Sequence, residues 1–324
     1  MRLIVTGGAG FIGSQYVRSL LQSNRGSEIT HVTVLDILTY AGNLANLNSI
    51  ENDPRYTFVQ GDITNAALAK ELFSEADAVV HFAAESHVDR SISGSAEFIR
   101  TNVVGTHTLL EAARATNLGR FLHVSTDEVY GTIDEGSWPE TDPLLPNSPY
   151  AASKASSDLL VRSYFRTHNL DTVTTRCSNN YGQYQYPEKL IPLFVSNLID
   201  GKKVPLYGDG LNMRDWLHVD DHCNGIHLAL TKGRAGEIYN IGGGTELTNL
   251  EMTRKILDAM GADWDASVRY VQDRKGHDLR YSVDCSKAES ELGYFPQVPF
   301  DQGLSTTIDW YKENEAWWRP LKDT

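Results

Sequence analysis

A glycine-rich turn between a strand-like run and a helix-like run constrains the fold of this chain more than any other feature. Residues 3–5 are Leu-Ile-Val, and residues 6–13 read Thr-Gly-Gly-Ala-Gly-Phe-Ile-Gly. The glycines at 8, 10 and 13 match G-x-G-x-x-G, and the residues after them predict a helix over 11–21. A strand, a glycine turn and a helix in this order are typical of the first unit of a parallel α/β sheet.

The rest of the N-terminal half repeats this alternation of strand and helix. The apolar patterns predict strands at 31–35, 56–59, 78–82, 121–125 and 172–175, and helices at 68–73, 96–116 and 151–167. Such alternation implies a parallel sheet covered by helices on both faces, with ligands at the carboxyl ends of the strands. The predicted fold class is therefore α/β, a Rossmann-type doubly wound parallel sheet.

The C-terminal half is less regular and predicts a smaller α/β substrate-binding domain, interleaved with the first. A stretch rich in proline and tyrosine precedes a helix at 193–199, and a strand follows at 237–241. Helices at 249–260 and 304–314 flank a loop at 273–281. The expected dinucleotide-binding domain is 1–178 plus about 215–245, and the expected substrate domain is about 179–214 plus 246–324.

Composition limits the classes of partner. The chain has 324 residues and a net charge of −13 without a basic tract, which argues against nucleic acid and against an anionic membrane surface. It has no run of eighteen apolar residues and no signal-peptide pattern, so a cytoplasmic protein is expected. Cys177, Cys223 and Cys285 are too widely separated for a disulfide framework or a metal pattern. His218 and His222 lack a third ligand with recognisable spacing, so no metal is expected.

The glycine turn and one acidic residue predict the cofactor. Glycines allow the backbone to approach a pyrophosphate, whose charge is met by the N-terminus of the following helix. Asp36 ends the second predicted strand, about 20 residues after the glycines, where a carboxylate accepts from the ribose hydroxyls and repels a 2′-phosphate. The sequence therefore favours NAD over NADP.

Two further groups of residues predict proton transfer. Tyr150 and Lys154 lie four apart at a helix start and share a face, where an ammonium lowers the pKa of a phenol and makes it a usable base. Asp127 and Glu128 follow a strand that ends in Ser-Thr. An enzyme that only moves a hydride needs one base. The additional acid and base suggest that water is eliminated between two hydride transfers.

The glycine turn, Asp36, Thr126 and the Tyr150–Lys154 pair resemble the extended short-chain dehydrogenase/reductases. Within that superfamily, the motifs at 84–92, 125–131, 176–182, 187–192 and 276–278 closely resemble those of dTDP-glucose 4,6-dehydratases. The resemblance runs from the first residues to about residue 311. It implies dTDP-glucose as substrate, NAD retained through the catalytic cycle, and a homodimer joined through helices.

The resemblance also implies two sets of binding residues. The cofactor set is Gly7, Gly8, Gly10, Phe11, Ile12, Gly13, Asp36, Ile37, Leu38, Thr39, Asp62, Ile63, Phe82, Ala83, Ala84, Glu85, Ser86, Thr101, Tyr150, Lys154 and Asn180. The substrate set is Ser86, Thr126, Asn179, Lys189, Leu190, Pro205, Leu206, Tyr207, Arg214, Asn249, Asp273, Arg274, Lys275, Gly276 and His277. An acidic protein needs fixed cations to hold a diphosphate, and Arg214 and Arg274, with Lys189 nearby, are the expected ones.

The implied reaction assigns a position on the sugar to each catalytic group. Tyr150, assisted by Lys154, removes the proton of the 4-hydroxyl, and Thr126 hydrogen-bonds the 4-oxygen. The 4-ketone acidifies the proton on C5, which Glu128 removes, and Asp127 protonates the departing 6-hydroxyl. The expected product is dTDP-4-keto-6-deoxy-D-glucose.

Three alternatives share part of this pattern. A nucleotide-sugar 4-epimerase uses the glycine turn, Asp36, Tyr150 and Lys154 but has no need of Asp127 and Glu128. A 4,6-dehydratase that acts on a CDP- or GDP-activated sugar keeps Asp127 and Glu128 and differs in its contacts to the nucleobase. A non-catalytic NAD-binding scaffold needs none of the catalytic groups, and their presence disfavours it.

Overall fold

The computed structural model describes residues 1–23 and 26–322. Its strands are β1 (Arg2–Thr6), β2 (His31–Asp36), β3 (Tyr56–Gln60), β4 (Ala78–His81), β5 (Arg120–Thr126), β6 (Thr172–Cys177), β7 (Asn179–Tyr181), β8 (Val204–Tyr207), β9 (Met213–His218), β10 (Ile238–Ile241), β11 (Glu246–Thr248) and β12 (Val268–Val271). Its helices are α1 (Phe11–Gln22), α2 (Ala66–Phe73), α3 (Val88–Ser93), α4 (Ala96–Phe98), α5 (Thr106–Thr116), α6 (Pro149–His168), α7 (Leu190–Ile199), α8 (Val219–Lys232), α9 (Asn249–Met260), α10 (Trp264–Ser267), α11 (Ser286–Leu292), α12 (Phe300–Glu313) and α13 (Glu315–Lys322). Leu44–Ile50 and Asp127–Tyr130 are 3₁₀-helices, and Ile99–Gly105 is a π-helix.

The predicted doubly wound sheet is confirmed. Within the described ranges it has seven strands in the order β10-β6-β5-β4-β1-β2-β3. All neighbouring strands are parallel, so their carboxyl ends share one edge. Because β1 pairs with both β2 and β4, the strand order reverses next to the glycine turn. A crevice opens at this point in such sheets, and ligands bind there.

Apolar side chains cover both faces of the sheet. On one face, Val5 and Val34 pack with Tyr16 of α1 and Ile226 of α8. On the other face, the core includes Phe73, Leu109 and Val161, from α2, α5 and α6. The strands read as nearly continuous apolar runs because helices bury them on both sides.

The C-terminal half adds smaller sheets with their own core. In the described part of the chain, β11-β9-β7 form a three-stranded sheet and β12 pairs with β8. Trp216, Ile256 and Trp318 belong to the apolar cluster beside these strands. The chain returns to the large sheet through β10, so the two parts interleave. The two-domain boundaries given above stay a prediction.

The predicted helix over 96–116 is confirmed, with a π-helical stretch inside it. It comprises α4, the π-helix and α5, and the amide of Asn102 supplies a reason for the local rewinding. Its Nδ2 donates to the Glu85 carbonyl at 3.0 Å and to Ser153 Oγ at 2.8 Å, while its Oδ1 accepts from the Glu85 backbone N–H at 2.9 Å. Single turns of π-helix inside longer helices occur frequently at functional sites. Here the turn fixes the loop that follows β4.

Among the residues that the structure describes, no helix has both the length and the apolar character needed to cross a membrane.

Candidate active site

The glycine turn after β1 forms a close backbone approach. Gly7 has φ of +71°, and a Cβ built on it would lie 2.6 Å from the backbone nitrogen of Ala83. A Cβ on Gly13 would lie 2.3 Å from the carbonyl oxygen of Gly7. A larger residue at Gly7 would push the turn away from the segment after β4, and one at Gly13 would push α1 away from the turn. The turn leaves room for a phosphate group at the N-terminus of this helix.

Asp36 lies at the end of β2 with 8% of its surface exposed. Its carboxylate accepts from the backbone N–H groups of Ala9 at 3.0 Å and Leu38 at 2.8 Å. Burial raises the pKa of Asp36, and these two hydrogen bonds partly offset that effect. The carboxylate is thus tied to the glycine turn and still borders the cleft, where its remaining lone pairs face a ribose-sized space.

A cleft runs from the glycine turn to the end of β5, and most of the predicted cofactor residues form its wall. They are Gly7, Gly10, Phe11, Ile12, Gly13, Asp36, Ile37, Thr39, Asp62, Ile63, Phe82, Ala83, Ala84, Glu85, Ser86, Thr101, Tyr150, Lys154 and Asn180. Gly8 and Leu38 lie behind this wall. Gly8 packs against Val34, to which a Cβ would approach within 2.7 Å, and Leu38 holds a left-handed turn with φ of 59°. The roles of these residues in binding the cofactor stay a prediction.

Thr126, Asp127 and Glu128 lie at the end of β5 and turn into a 3₁₀-helix. Thr126 caps that helix: its hydroxyl accepts from the Glu128 backbone N–H at 3.3 Å and donates to Asp127 Oδ1 at 3.2 Å. Among the described residues, none hydrogen-bonds to Asp127 Oδ2, which is buried. An unpaired buried carboxylate oxygen is costly when charged, so Asp127 favours its protonated form.

The two carboxyl groups experience different electrostatic environments. Burial raises the pKa of Asp127 well above its ordinary value, and Glu128 and Asp215 raise it further. Burial also raises the pKa of Glu128, but the cations Arg214, Lys189 and Arg274 counteract that shift. Asp127 is therefore suited to give a proton, and Glu128 is suited to take one.

Tyr150 and Lys154 lie in the first turns of α6, which Ser148 caps by accepting from the Ala151 backbone N–H. Both side chains are buried and border the cleft. The predicted lowering of the Tyr150 pKa is wrong for this structure. Burial raises it well above the ordinary value, with Glu128 as the next contributor. Burial lowers the pKa of Lys154 to about 8, and its ammonium donates to the Val124 carbonyl at 2.8 Å.

Several residues to which the sequence analysis gave no role in this site also contribute to the cleft. His222 of α8 pairs through Nδ1 with Asn180 Oδ1 at 2.9 Å and so orients the Asn180 amide. Ser125, Cys177, Ser178, Asn46, Trp317 and Leu321 border the cleft. Cys177 and Ser178 stand inside the motif at 176–182, which was the available signal for them. Asn46, His222 and Trp317 carry no local signal, because their roles depend on long-range contacts.

Of the predicted substrate residues, Ser86, Thr126, Asn179 and Lys189 border the cleft. Lys189 donates to the Ser86 carbonyl at 3.0 Å, and burial lowers its pKa. Arg214 is buried, and its guanidinium donates to the Asp278 carbonyl at 2.9 Å. Arg274 pairs with Asp89 at 2.6 Å.

The remaining predicted substrate residues are not part of the cleft wall. They are Leu190 at the start of α7, Pro205, Leu206 and Tyr207 of β8, Asn249 at the start of α9, and Asp273, Lys275, Gly276 and His277 of the loop after β12. His277 contacts Asp273 at 2.6 Å, and its ring lies 6.4 Å from that of Tyr207. Arg274 lies 5.5 Å from the centre of the Tyr207 ring, so this loop and β8 form one neighbourhood.

The two histidines considered as metal ligands have other contacts. His218 caps α8, with its Nδ1 accepting from the Asp220 backbone N–H, and His222 contacts Asn180. Within residues 1–23 and 26–322, no group of three or more His, Cys, Asp or Glu side chains could hold a metal ion.

The fold and cleft define a Rossmann-type α/β protein that places paired proton-transfer groups beside a dinucleotide-shaped space. A family model described as GDP-mannose 4,6 dehydratase matches residues 4–307. A curated relative, the dTDP-glucose 4,6-dehydratase of Streptomyces antibioticus, is 63% identical over 99% of this chain and 96% of the relative.

Solved structures show the same likeness. DesIV, a dTDP-glucose 4,6-dehydratase from Streptomyces venezuelae solved with NAD and TYD bound, superposes with a TM-score of 0.98. It is 63% identical and covers 99% of this chain and 100% of its own. UDP-glucose 4-epimerase from Thermotoga maritima, solved with UDP-glucose, has a TM-score of 0.89 and 30% identity over 97% of this chain and 100% of its own. The chain belongs to the dTDP-glucose 4,6-dehydratase family within the extended short-chain dehydrogenase/reductases.

Proposed function

We propose that this protein is an NAD-dependent dTDP-glucose 4,6-dehydratase. It converts dTDP-D-glucose to dTDP-4-keto-6-deoxy-D-glucose and water. The observation that carries the proposal is the placement of Asp127 and Glu128 in the same cleft as Tyr150 and the glycine turn. Burial raises the pKa of both carboxyl groups, and more cations offset this effect at Glu128 than at Asp127. The 63% identity to relatives named for this activity supports it over the full chain.

The cleft has the features that NAD requires. Gly7 and Gly13 leave backbone space for a pyrophosphate at the start of α1, and Asp36 offers carboxylate oxygens to a ribose. When bound, NAD accepts a hydride from C4 of the sugar and later returns it to C6, and its nicotinamide carries a positive charge. Burial and the Glu128 carboxylate raise the pKa of Tyr150 above its ordinary value, and the positive charge of a bound nicotinamide would oppose that shift.

Tyr150 and Thr126 serve C4 of the sugar in this proposal. Tyr150 takes the proton of the 4-hydroxyl, and Thr126, at the end of β5, donates a hydrogen bond to the 4-oxygen. Lys154, whose Nζ is held by the Val124 carbonyl, supplies positive charge that stabilises the phenolate. These groups come from adjacent elements of the large sheet and are fixed by burial.

Glu128 and Asp127 serve the elimination. Glu128 takes the C5 proton, which the neighbouring 4-ketone has made acidic. Asp127, kept protonated by burial, gives its proton to the departing 6-hydroxyl, so that water leaves. The C5 proton returns after C6 is reduced, and the overall reaction has no net redox change.

Basic side chains hold the diphosphate of the substrate in this proposal. Arg214, Arg274 and Lys189 are close enough to Glu128 to influence its pKa, so they place positive charge at the sugar end of the cleft. Arg274 has Asp89 as its present partner, and a phosphate would compete with that carboxylate. Asn179, Leu190, Pro205 to Tyr207, Asn249 and the 273–277 loop supply the remaining contacts to base and sugar.

The mass of the product separates this function from its rivals. Purified protein is incubated with dTDP-glucose, and the product is measured by mass spectrometry. Loss of one water is expected. An unchanged mass with inversion at C4 would indicate an epimerase, and unchanged substrate would indicate a scaffold. CDP-glucose and GDP-mannose, offered in parallel, test the choice of nucleotide. Faster turnover of either one would overturn the assignment of dTDP-glucose.

We also propose a cytoplasmic homodimer joined through α5 and α6. Ile99 and Val104, in the π-helix that leads into α5, have 48% and 47% of their surface exposed, and Leu159 of α6 has 57%. The π-helix and α5 both pack beside α6. Exposed apolar side chains on packed helices are typical of a helix-mediated interface. Sedimentation equilibrium should give twice the chain mass, and Leu159→Glu should shift it toward the monomer. The exposed Phe295, replaced by Glu, is the control.

A further inference from the structure

We propose that the C-terminal helix α13 is a clamp that retains the dinucleotide in its cleft, with Trp317 as the positioning residue. This inference rests on the proposed function, because it concerns how that enzyme holds its cofactor. The matched family model ends at residue 307, whereas α13 covers Glu315–Lys322. The clamp therefore lies outside the residues that the family model matches.

A chain of hydrogen bonds joins α13 to the glycine turn. The indole Nε1 of Trp317 donates to Asn46 Oδ1 at 2.9 Å, across 271 residues of sequence. The same amide donates through Nδ2 to the carbonyl of Ala9 at 2.9 Å. The Asn43 backbone N–H donates to that carbonyl as well, at 3.0 Å. Ala9 stands between Gly8 and Gly10, so two hydrogen bonds separate Trp317 from the turn that receives the pyrophosphate.

Two side chains of α13 are part of the cleft wall itself. Trp317 and Leu321 border the same cleft as Gly10, Asp36 and Asn46. The hydroxyl of Tyr186 donates to the Leu321 carbonyl at 3.0 Å. The dinucleotide end of the cleft is thus bounded on one side by the large sheet and on another by the C-terminal helix.

An aromatic cluster presses α13 against α1. The Trp317 ring lies 5.5 Å from Tyr184 and 5.2 Å from Trp310, and both pairs are edge-to-face. The Arg18 guanidinium of α1 stacks over Tyr184 at 4.3 Å and donates to the Asn46 carbonyl. Edge-to-face pairs and cation–π contacts add to the area that they bury. They hold Trp317 close to the first helix of the dinucleotide site.

The other face of α13 is fixed to the second part of the molecule. Trp318 is fully buried, and its Nε1 donates to the Tyr311 carbonyl at 2.8 Å. Lys322 and Arg319 each contact the Asp200 carboxylate, at the end of α7, at 2.8 Å. Because α13 is anchored there and also reaches Asn46, opening the cleft on this side requires these contacts to break together. Such an arrangement slows cofactor release without touching the reacting atoms of the sugar.

The clamp is tested with Trp317→Phe, which keeps a ring in the cluster and removes the indole N–H. Trp310→Phe is the matched control, because Trp310 belongs to the same cluster but does not border the cleft. Each holoprotein is loaded with radiolabelled NAD and chased with excess unlabelled NAD. We expect Trp317→Phe to release the label about fivefold faster, the factor given by one ordinary hydrogen bond. The control should stay within about twofold of the unchanged protein.

Equal release from Trp317→Phe and from the unchanged protein would overturn the clamp, as would equal acceleration by Trp310→Phe. Each variant also loses part of the aromatic cluster in the cofactor-free protein, so the melting temperatures of both should fall. Faster release of the label by Trp317→Phe alone then separates retention from a general structural effect. If the unchanged protein forms no dehydrated product, the proposed function fails, while the labelled-NAD comparison still reports on the clamp.

Discussion

The two ends of the substrate path are built in opposite ways. At the acid–base end, Asp127, Tyr150 and Lys154 are 2%, 8% and 4% exposed, and they come from β5 and the start of α6. At the nucleotide end, Asp273 is exposed and Arg274 is half-buried, in a loop whose contacts are ion pairs. The first end is dry and rigid, and the second is partly solvated and held by charges that a ligand can take over.

This difference separates chemistry from binding. Burial at the end of a strand shifts the pKa values of Asp127 and Glu128 and fixes their geometry, which proton transfer requires. A loop such as that of Arg274 can exchange Asp89 for a phosphate when the substrate arrives. Changes at the first end should therefore lower kcat, and changes at the second should mainly raise KM.

The largest effect is expected for Tyr150→Phe. Without the phenol, the 4-hydroxyl proton has no acceptor and the first oxidation fails. We expect turnover to fall by about 10³-fold or more, the upper part of the range for general acid–base catalysis. Rapid-mixing absorbance of the reduced nicotinamide measures this step, and no burst should be visible.

Glu128→Gln is the matched comparison within the same end of the cleft. The first oxidation needs Tyr150 but not Glu128, so reduced nicotinamide should accumulate while little product forms. A normal rate of product formation would remove Glu128 from the elimination. A missing burst in both variants would mean that the two residues do not serve separate steps.

Asp127→Asn should lower turnover by about 10²-fold, because the 6-hydroxyl then leaves without an acid. In a substrate with fluorine at C6, fluoride leaves without needing a proton, so this substrate should recover part of the lost turnover.

The pH dependence of turnover has a defined sign. Since burial raises the Asp127 pKa, the unchanged enzyme keeps its acid protonated above the ordinary carboxyl range, and turnover falls as pH rises through that pKa. Absence of rescue by the 6-fluoro substrate would argue against Asp127 as the acid.

Arg274→Ala tests the other end of the path. Loss of one cation that meets the diphosphate should raise KM about tenfold. We expect kcat to stay within about twofold, because Arg214 and Lys189, which lower the Glu128 pKa more than Arg274 does, remain. Arg269→Ala, which removes an exposed arginine from nearby β12, is the control for net charge. A fall in kcat as large as that of Asp127→Asn would break the separation between chemistry and binding.

Residues of the buried end of the cleft can be predicted from the sequence better than those of the loop that contains Arg274, for a physical reason. The turn at 7–13, Asp36 and Thr126 follow strands directly, so local periodicity and strand order place them. Asn102 interrupts a helix through contacts with Glu85 and Ser153, which no local pattern indicates. Trp317 reaches Asn46 across 271 residues, and such a pair depends on how the whole chain packs.

The smallest effect concerns the buried histidine behind Asn180. Burial lowers the pKa of His222 from 6.5 to about 3. Between pH 3 and pH 6.5, His222 is therefore protonated in the unfolded chain and neutral in the folded protein. The corresponding stability is present above pH 6.5 and is lost as pH falls toward 3, with a slope of at most about 1.4 kcal/mol per pH unit. His222→Asn keeps a donor near Asn180 but does not titrate. The free energy of unfolding of this variant, measured in urea, should therefore fall less steeply between pH 6 and pH 4 than that of the unchanged protein. This pH range lies between the ordinary and the lowered pKa of His222. Exposed His168→Asn is the control, and an equal change of slope in that variant would show that burial behind the cofactor cleft is not the cause.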